Sequence, residues 1–224
     1  MSIVGRISGW RSVAVFAAGL ILAPWLGSAQ GGAAGTLGMF TASNDIGVTQ
    51  PGATSFDGAT RRYRMSGGGA DLWGTADEFS YTWRRASGDG SLSADLAFQK
   101  PLSYPISKGV LMFRQSLSPG SVYADVALHA DGHITLQYRA TEGGETKDVT
   151  LPEHGPTRIR VERKGDQFTA YAVLADGRPG TPASIVIPMT GSVYVGIGVG
   201  SHNVNALQTV LFSDVTLTGA QDRS

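Results

Sequence analysis

The sequence predicts an all-β chain, a single sandwich or barrel, on three observations. Glycine supplies 31 of the 224 residues, about twice the usual share of roughly 7%, and glycine belongs to turns and costs about 1 kcal/mol relative to alanine inside a helix. Turn signals recur at short intervals: Phe56-Asp57-Gly58, Ser87-Gly88-Asp89-Gly90, Ala130-Asp131-Gly132, Lys164-Gly165-Asp166 and Ala175-Asp176-Gly177. Between them apolar and polar residues alternate, the period of a half-buried strand, and no segment carries the helical period.

Taken in order, the elements begin with an export signal. Arg6 and Arg11 precede an apolar run from Val13 to Leu26, and Gly27-Ser28-Ala29 follows with the small residues that a signal peptidase reads. The run is shorter than the roughly 20 residues that cross a bilayer, and Pro24 interrupts its end, so residues 1–29 are expected to be cleaved. No cysteine exists to carry a lipid or a disulfide, which leaves burial alone to hold the mature chain together. The product is expected to be periplasmic or extracellular, without membrane insertion. Residues 30–39 are rich in Gly, Ala and Thr and read as a flexible lead. A domain at 40–219 follows, then a short tail at 220–224. Strands are expected near 61–66, 78–85, 91–98, 108–115, 122–129, 133–139, 157–163, 167–173, 183–187, 192–200 and 208–217.

Composition narrows the function. Hydrophobic residues at 42% and charged residues at 16% exclude a disordered chain and a coiled coil. Basic and acidic side chains number 18 each; cleavage removes Arg6 and Arg11, so the mature chain has a formal charge of −2. Nucleic acid and anionic membranes are poor partners for such a surface, and the clusters Arg61, Arg62, Arg64 and Arg84-Arg85 do not alter that. Oligomeric state is not legible.

Alternation also assigns faces, because successive side chains of a strand point to opposite sides. Leu111, Phe113, Ala124, Val126, Leu128, Ile134, Leu136, Tyr138, Val193, Val195, Ile197 and Val199 form the inward set. The opposite face carries Met112, Arg114, Asp125, His129, Gln137, Arg139 and Tyr194, then Gly196, Gly198 and Gly200, then His202. Three glycines at period two leave a strip without side chains, either a groove floor for a flat polar ligand such as a sugar or a relief of crowding where the sheet curves.

The segment Gly67-Gly68-Gly69-Ala70-Asp71-Leu72-Trp73-Gly74-Thr75-Ala76-Asp77-Glu78-Phe79 resembles the signature of a bacterial family of concanavalin-A-like jelly rolls of unknown function. The segments 87–90, 111–117, 136–139 and 194–203 follow in the family's order, so the resemblance covers about Asp45 to Leu217. Tyr123-Ala124-Asp125-Val126-Ala127-Leu128-His129 is similar to the middle strand of the version fused ahead of TolB-like β-propellers. No propeller follows within the 224 residues, so roles that rest on propeller contacts are not expected. The resemblance implies an antiparallel two-sheet jelly-roll sandwich with one concave outer face. It raises glycan binding by analogy only, since one fold hosts many functions.

Candidate chemistry is sparse. Laminarinase-like enzymes of this fold carry Glu-x-Asp-x-x-Glu on one strand, and no such run occurs among the five glutamates. A glycoside hydrolase would need an atypical acid/base arrangement, with Asp125 and His129 sharing a face. No histidines pair at metal-ligand spacing on one element, which gives zinc no support. Asp45 and Asp214 would adjoin if the first and last strands paired, which would allow calcium; otherwise each braces a turn. Phe79, Tyr81 and Trp83 read as a core stripe, whereas Trp73 lies in a Gly-rich loop outside the alternation and suits stacking on a sugar ring. Asp71 and Asp77, which flank it, suit bracing of that loop. The expected function is therefore a non-catalytic exported module that binds a polysaccharide or another envelope component. Arg114, Asp125, Gln137, Arg139, His202 and Asn203 would supply hydrogen bonds, Gly196, Gly198 and Gly200 the floor, and Trp73 the rim. The alternatives are the atypical hydrolase and a protein-interaction module.

Overall fold

The computed structural model describes residues 36–47, 49–155 and 157–222. The expected export signal at 1–29 and most of the expected lead lie outside the described residues. Among the described residues there is no helix, and the strands are β1 (Ala42–Ile46), β2 (Ala53–Asp57), β3 (Arg62–Gly67), β4 (Phe79–Ser87), β5 (Gly90–Phe98), β6 (Lys108–Arg114), β7 (Tyr123–His129), β8 (Ile134–Arg139), β9 (Lys147–Thr150), β10 (Arg158–Lys164), β11 (Gln167–Ala172), β12 (Ala183–Val186), β13 (Val193–Gly200), β14 (Gln208–Thr218) and β15 (Gln221–Asp222). They form two antiparallel sheets. One runs β1-β4-β13-β6-β7-β8-β9, with β15 beside β4, and the other runs β12-β11-β10-β5-β14-β3-β2. This is the all-β sandwich that the sequence pattern predicts, in the jelly-roll form that the resemblance implies.

All eleven expected strands are present. The expected inward set forms, with residues of the other sheet such as Tyr63, Leu92, Leu96, Val161, Phe168 and Phe212, the core between the sheets, where Tyr138 is only partly buried. Phe113 of β6 meets Phe168 of β11 across that core at 5.7 Å between ring centroids. Each such fully buried side chain is worth about 1.5–3 kcal/mol, which is what must stabilise a chain without disulfides. At the end of the stretch read as a flexible lead, Leu37 and Met39 pack against this core, and the Met39 amide donates to Tyr63 Oη at 2.9 Å. Residues 221–222, read as tail, pair with β4.

β1 pairs with β4 and β14 with β3 and β5, so Asp45 and Asp214 stand in different sheets. That corrects the first-to-last pairing on which the calcium site rested. Asp45 accepts from the Gly52 amide at 3.1 Å and from Ser80 Oγ at 2.6 Å, bracing a turn. Asp214 has a left-handed φ of 49° beside the irregular register between Ser213 and Thr216, where β14 bends.

Candidate functional site

The outer face of the eight-stranded sheet carries the polar residues that alternation assigns to it, but much of it is covered. Phe79, Tyr81, Val110, Met112, Tyr123 and Ala127 form a second apolar layer there with Ile46 and with Leu72 of the β3–β4 loop. Three loops lace over this layer through backbone bonds. The Asp77 amide donates to Pro119 O at 3.0 Å, Gly143 N to Gly120 O at 2.8 Å and Thr146 N to Gly74 O at 2.9 Å.

Beneath the loops lies a buried charge cluster. Arg114, Arg139 and Asp77 have no solvent exposure. The Arg139 fork donates from Nη2 to Asp77 Oδ1 at 2.7 Å and from Nη1 to Oδ2 at 2.9 Å, and Arg114 Nη1 donates to the same Oδ2 at 2.6 Å. Both also donate to loop carbonyls, Arg114 to those of Ser118 and Pro119 and Arg139 to those of Gly74, Pro119, Ser121 and Gly144, while Arg114 Nε is buried without a partner. Arg114 and Arg139, expected to meet a ligand, instead hold the covering loops to the sheet. Asp77 braces the loop as its position suggested.

The glycine strip is corrected in the same way. It is buried, and its space is filled by neighbours rather than left as a groove. A Cβ on Gly198 would stand 2.9 Å from the Phe79 ring and from Val110 Cγ2, one on Gly200 2.6 Å from Leu72 Cδ1, and one on Gly196 2.1 Å from the Thr82 carbonyl oxygen. Gly198 and Gly200 let the second apolar layer settle onto β13, and Gly196 lets the β4 backbone approach it. Asn203 also serves its loop, where Oδ1 accepts from the Asn205 amide at 2.9 Å.

What stays open is a pocket of about 240 Å³ lined by Asp71, Trp73, Ile106, Lys108, His129, Thr135, Gln137 and Asp148. Strand register builds it. Lys108 pairs with His129 across β6 and β7, while Met112, Asp125, Gln137 and Asp148 form a row across β6, β7, β8 and β9. Lys108 Nζ donates to Asp71 Oδ1 at 2.6 Å and to Leu72 O at 3.2 Å, and stands 5.4 Å from the Trp73 ring centroid. Asp71 Oδ2 lies 3.3 Å from His202 Nδ1, and the His202 ring packs on Tyr104 at 5.0 Å. Trp73 and Tyr104 remain 41% and 47% exposed, and Asp71 links them through Lys108 and His202.

Asp125 is fully buried and outside the pocket lining; neither carboxyl oxygen has a hydrogen-bond partner. Burial pushes its carboxyl well above the usual carboxylate range, the Lys108 charge opposing this and the Asp77 charge adding to it. Gln137 lines the pocket with its buried Oε1 also unpartnered. Burial, aided by Lys108, holds His129 down at about 4, and its Nε2 lies 3.2 Å from Thr135 Oγ1. Of the expected ligand residues, Trp73 and Gln137 line the pocket and His202 supports its rim. Lys108, Thr135 and Asp148 were missed; Lys108 is legible as the first position of the Lys108, Val110, Met112, Arg114 alternation.

No protein-family model matches the chain, and no curated protein matches it in sequence. Solved structures share the fold. A functionally unknown protein from Saccharomyces cerevisiae is similar at a TM-score of 0.59 and 14% identity, over 78% of this chain and 96% of that one. The carbohydrate-binding module CBM66 from Bacillus subtilis is similar at 0.52 and 16% identity, over 81% and 98%. At these identities the likeness is one of architecture, that of a jelly-roll sandwich.

Proposed function

We propose that the chain is a non-catalytic binding module for a saccharide unit, acting outside the cytoplasm after removal of residues 1–29 and related to the concanavalin-A-like family whose motifs it resembles. The observation that carries this reading is the exposed indole of Trp73 at the mouth of a pocket whose wall presents Lys108, Asp71, Gln137 and Asp148. An indole face takes the apolar side of a sugar ring, while an ammonium, carboxylates and an amide meet hydroxyls that both donate and accept. The pocket volume lies below the roughly 300–1,000 Å³ usual for ligand sites, so it suits one sugar unit rather than a length of chain. The fold likeness to a carbohydrate-binding module adds analogy only. The hydrolase alternative loses support, because the acid it relies on, Asp125, does not line the pocket.

A glycan array on the purified chain, followed by calorimetry on the strongest hit, tests the reading. Trp73→Ala should lower affinity at least about tenfold and leave the melting temperature nearly unchanged, as for most exposed positions. Unchanged affinity would remove the pocket from the argument, and release of new reducing ends would favour the hydrolase.

A further inference from the structure

The outer face of the other sheet carries a larger hollow. It holds about 760 Å³ and is lined by residues of β5, β10 and β11, among them Ser93, Asp95, Arg158, Arg160 and Tyr171, with Leu174 and Pro179 of the β11–β12 loop as one wall. A second hollow of about 320 Å³, lined by Glu162 and Lys164, shares Arg160 with it. The two together form a track along β10.

Register explains the track. Ile159 and Val161 point into the core, so Arg158, Arg160 and Glu162 point out, and Asp95 and Ser93 stand opposite Arg158 and Arg160 on β5. Its wall is braced: the Leu174 amide donates to Arg178 O at 2.9 Å, Gly177 N to Leu174 O at 2.8 Å, and Val173 bridges Pro179.

We propose that this track is a second saccharide site, separate from the Trp73 pocket, that holds a stretch of a neutral polysaccharide chain. Neutrality follows from the charges. Arg158 Nη1 pairs with Asp95 Oδ2 at 2.6 Å and Arg160 Nη2 with Glu162 Oε1 at 2.7 Å, so both cations of the larger hollow are matched by carboxylates and that hollow offers no net field to an anion; the second hollow adds Arg163 and Lys164 against Asp89, one cation in excess at its far end. What remains is a row of guanidinium donors next to carboxylate acceptors, the complement of adjacent hydroxyls that each donate and accept. Arg160 Nε is buried without a partner. Tyr171 lies 6.0 Å beneath the Arg160 guanidinium carbon and donates its hydroxyl to Glu162 at 2.7 Å; with Leu174 and Pro179 it gives the apolar surface against which a sugar ring packs. Size and shape favour a chain segment, because the larger hollow alone reaches the range of full ligand sites and continues into the second.

The probes are neutral hexasaccharides of β-linked glucose, xylose and mannose, with a galacturonate hexasaccharide as the anionic control, titrated calorimetrically into the Trp73→Ala chain. At least one neutral probe should bind, more tightly than the control, and Arg160→Ala or Tyr171→Ala in that background should weaken it at least about tenfold. On the unaltered chain, the same probe should slow hydrogen exchange in residues 158–164 and 171–179, a reading that needs no groove variant to fold. The site is overturned if no neutral probe binds the Trp73→Ala chain, if the control binds better, or if neither substitution matters and no protection develops. Because the Trp73 pocket is disabled in these titrations, a failure here leaves the pocket reading untouched, and a failed pocket leaves the track standing.

Discussion

Arg114 and Arg139 on one outer face and Arg158 and Arg160 on the other are all strand arginines paired with carboxylates, yet the first two have no exposed side chain and the second two about a third. The difference lies in what crosses above them. Three laced loops and the Leu72–Phe79 layer turn one arginine pair into the inside of the protein. The other sheet is bounded by a loop at one edge and leaves its pair at the surface. Identical chemistry thus fastens loops in one place and is available to a ligand in the other. Buried ion pairs cost heavily when halved, whereas exposed ones cost little.

That contrast can be broken by substitution. Asp77→Ala strands two buried guanidiniums and should destabilise the fold by about 3–5 kcal/mol, seen as a fall in melting temperature of roughly 6–20 °C; a change under about 1 kcal/mol would mean that the loops are not held by this cluster. Gly198→Leu drives a side chain into Phe79 and Val110 and should cost at least about 1–3 kcal/mol in urea unfolding. A stable Gly198→Leu chain would restore the glycine strip as open floor. Asp95→Ala removes the surface partner of Arg158 and should cost less than about 1 kcal/mol, and a larger loss would show that the second face is no more open than the first.

Periodicity made the central strands readable, because each has one face in the core: Val193, Val195, Ile197 and Val199 declare β13 without help from any other residue. The edges were not readable. β1 is Ala-Ser-Asn-Asp-Ile, β2 exposes alternate residues and β9 exposes all four, so none carries an apolar period. The site divides along the same line. Alternation placed Arg114, Gln137 and Arg139 on the correct face, but whether that face is bare depends on Leu72 and Asp77, which reach it from a loop; Asp77 stands 37 residues before Arg114 and 62 before Arg139. A glycine period says that side chains are missing and is silent about what fills the space. Trp73 was legible because it lies in a loop outside the alternation.

The strand order has a consequence for the time course of folding. β13 separates β4 from β6 and β14 separates β5 from β3, so an interior strand of each sheet is synthesised after nearly all the strands it must join. Until both arrive, each sheet is two fragments whose inner edges expose unpaired backbone groups. The pairings that close them span long stretches of chain, the kind of contact that forms slowly. The nascent chain therefore remains open to chaperones, and to self-association, until its last strands emerge.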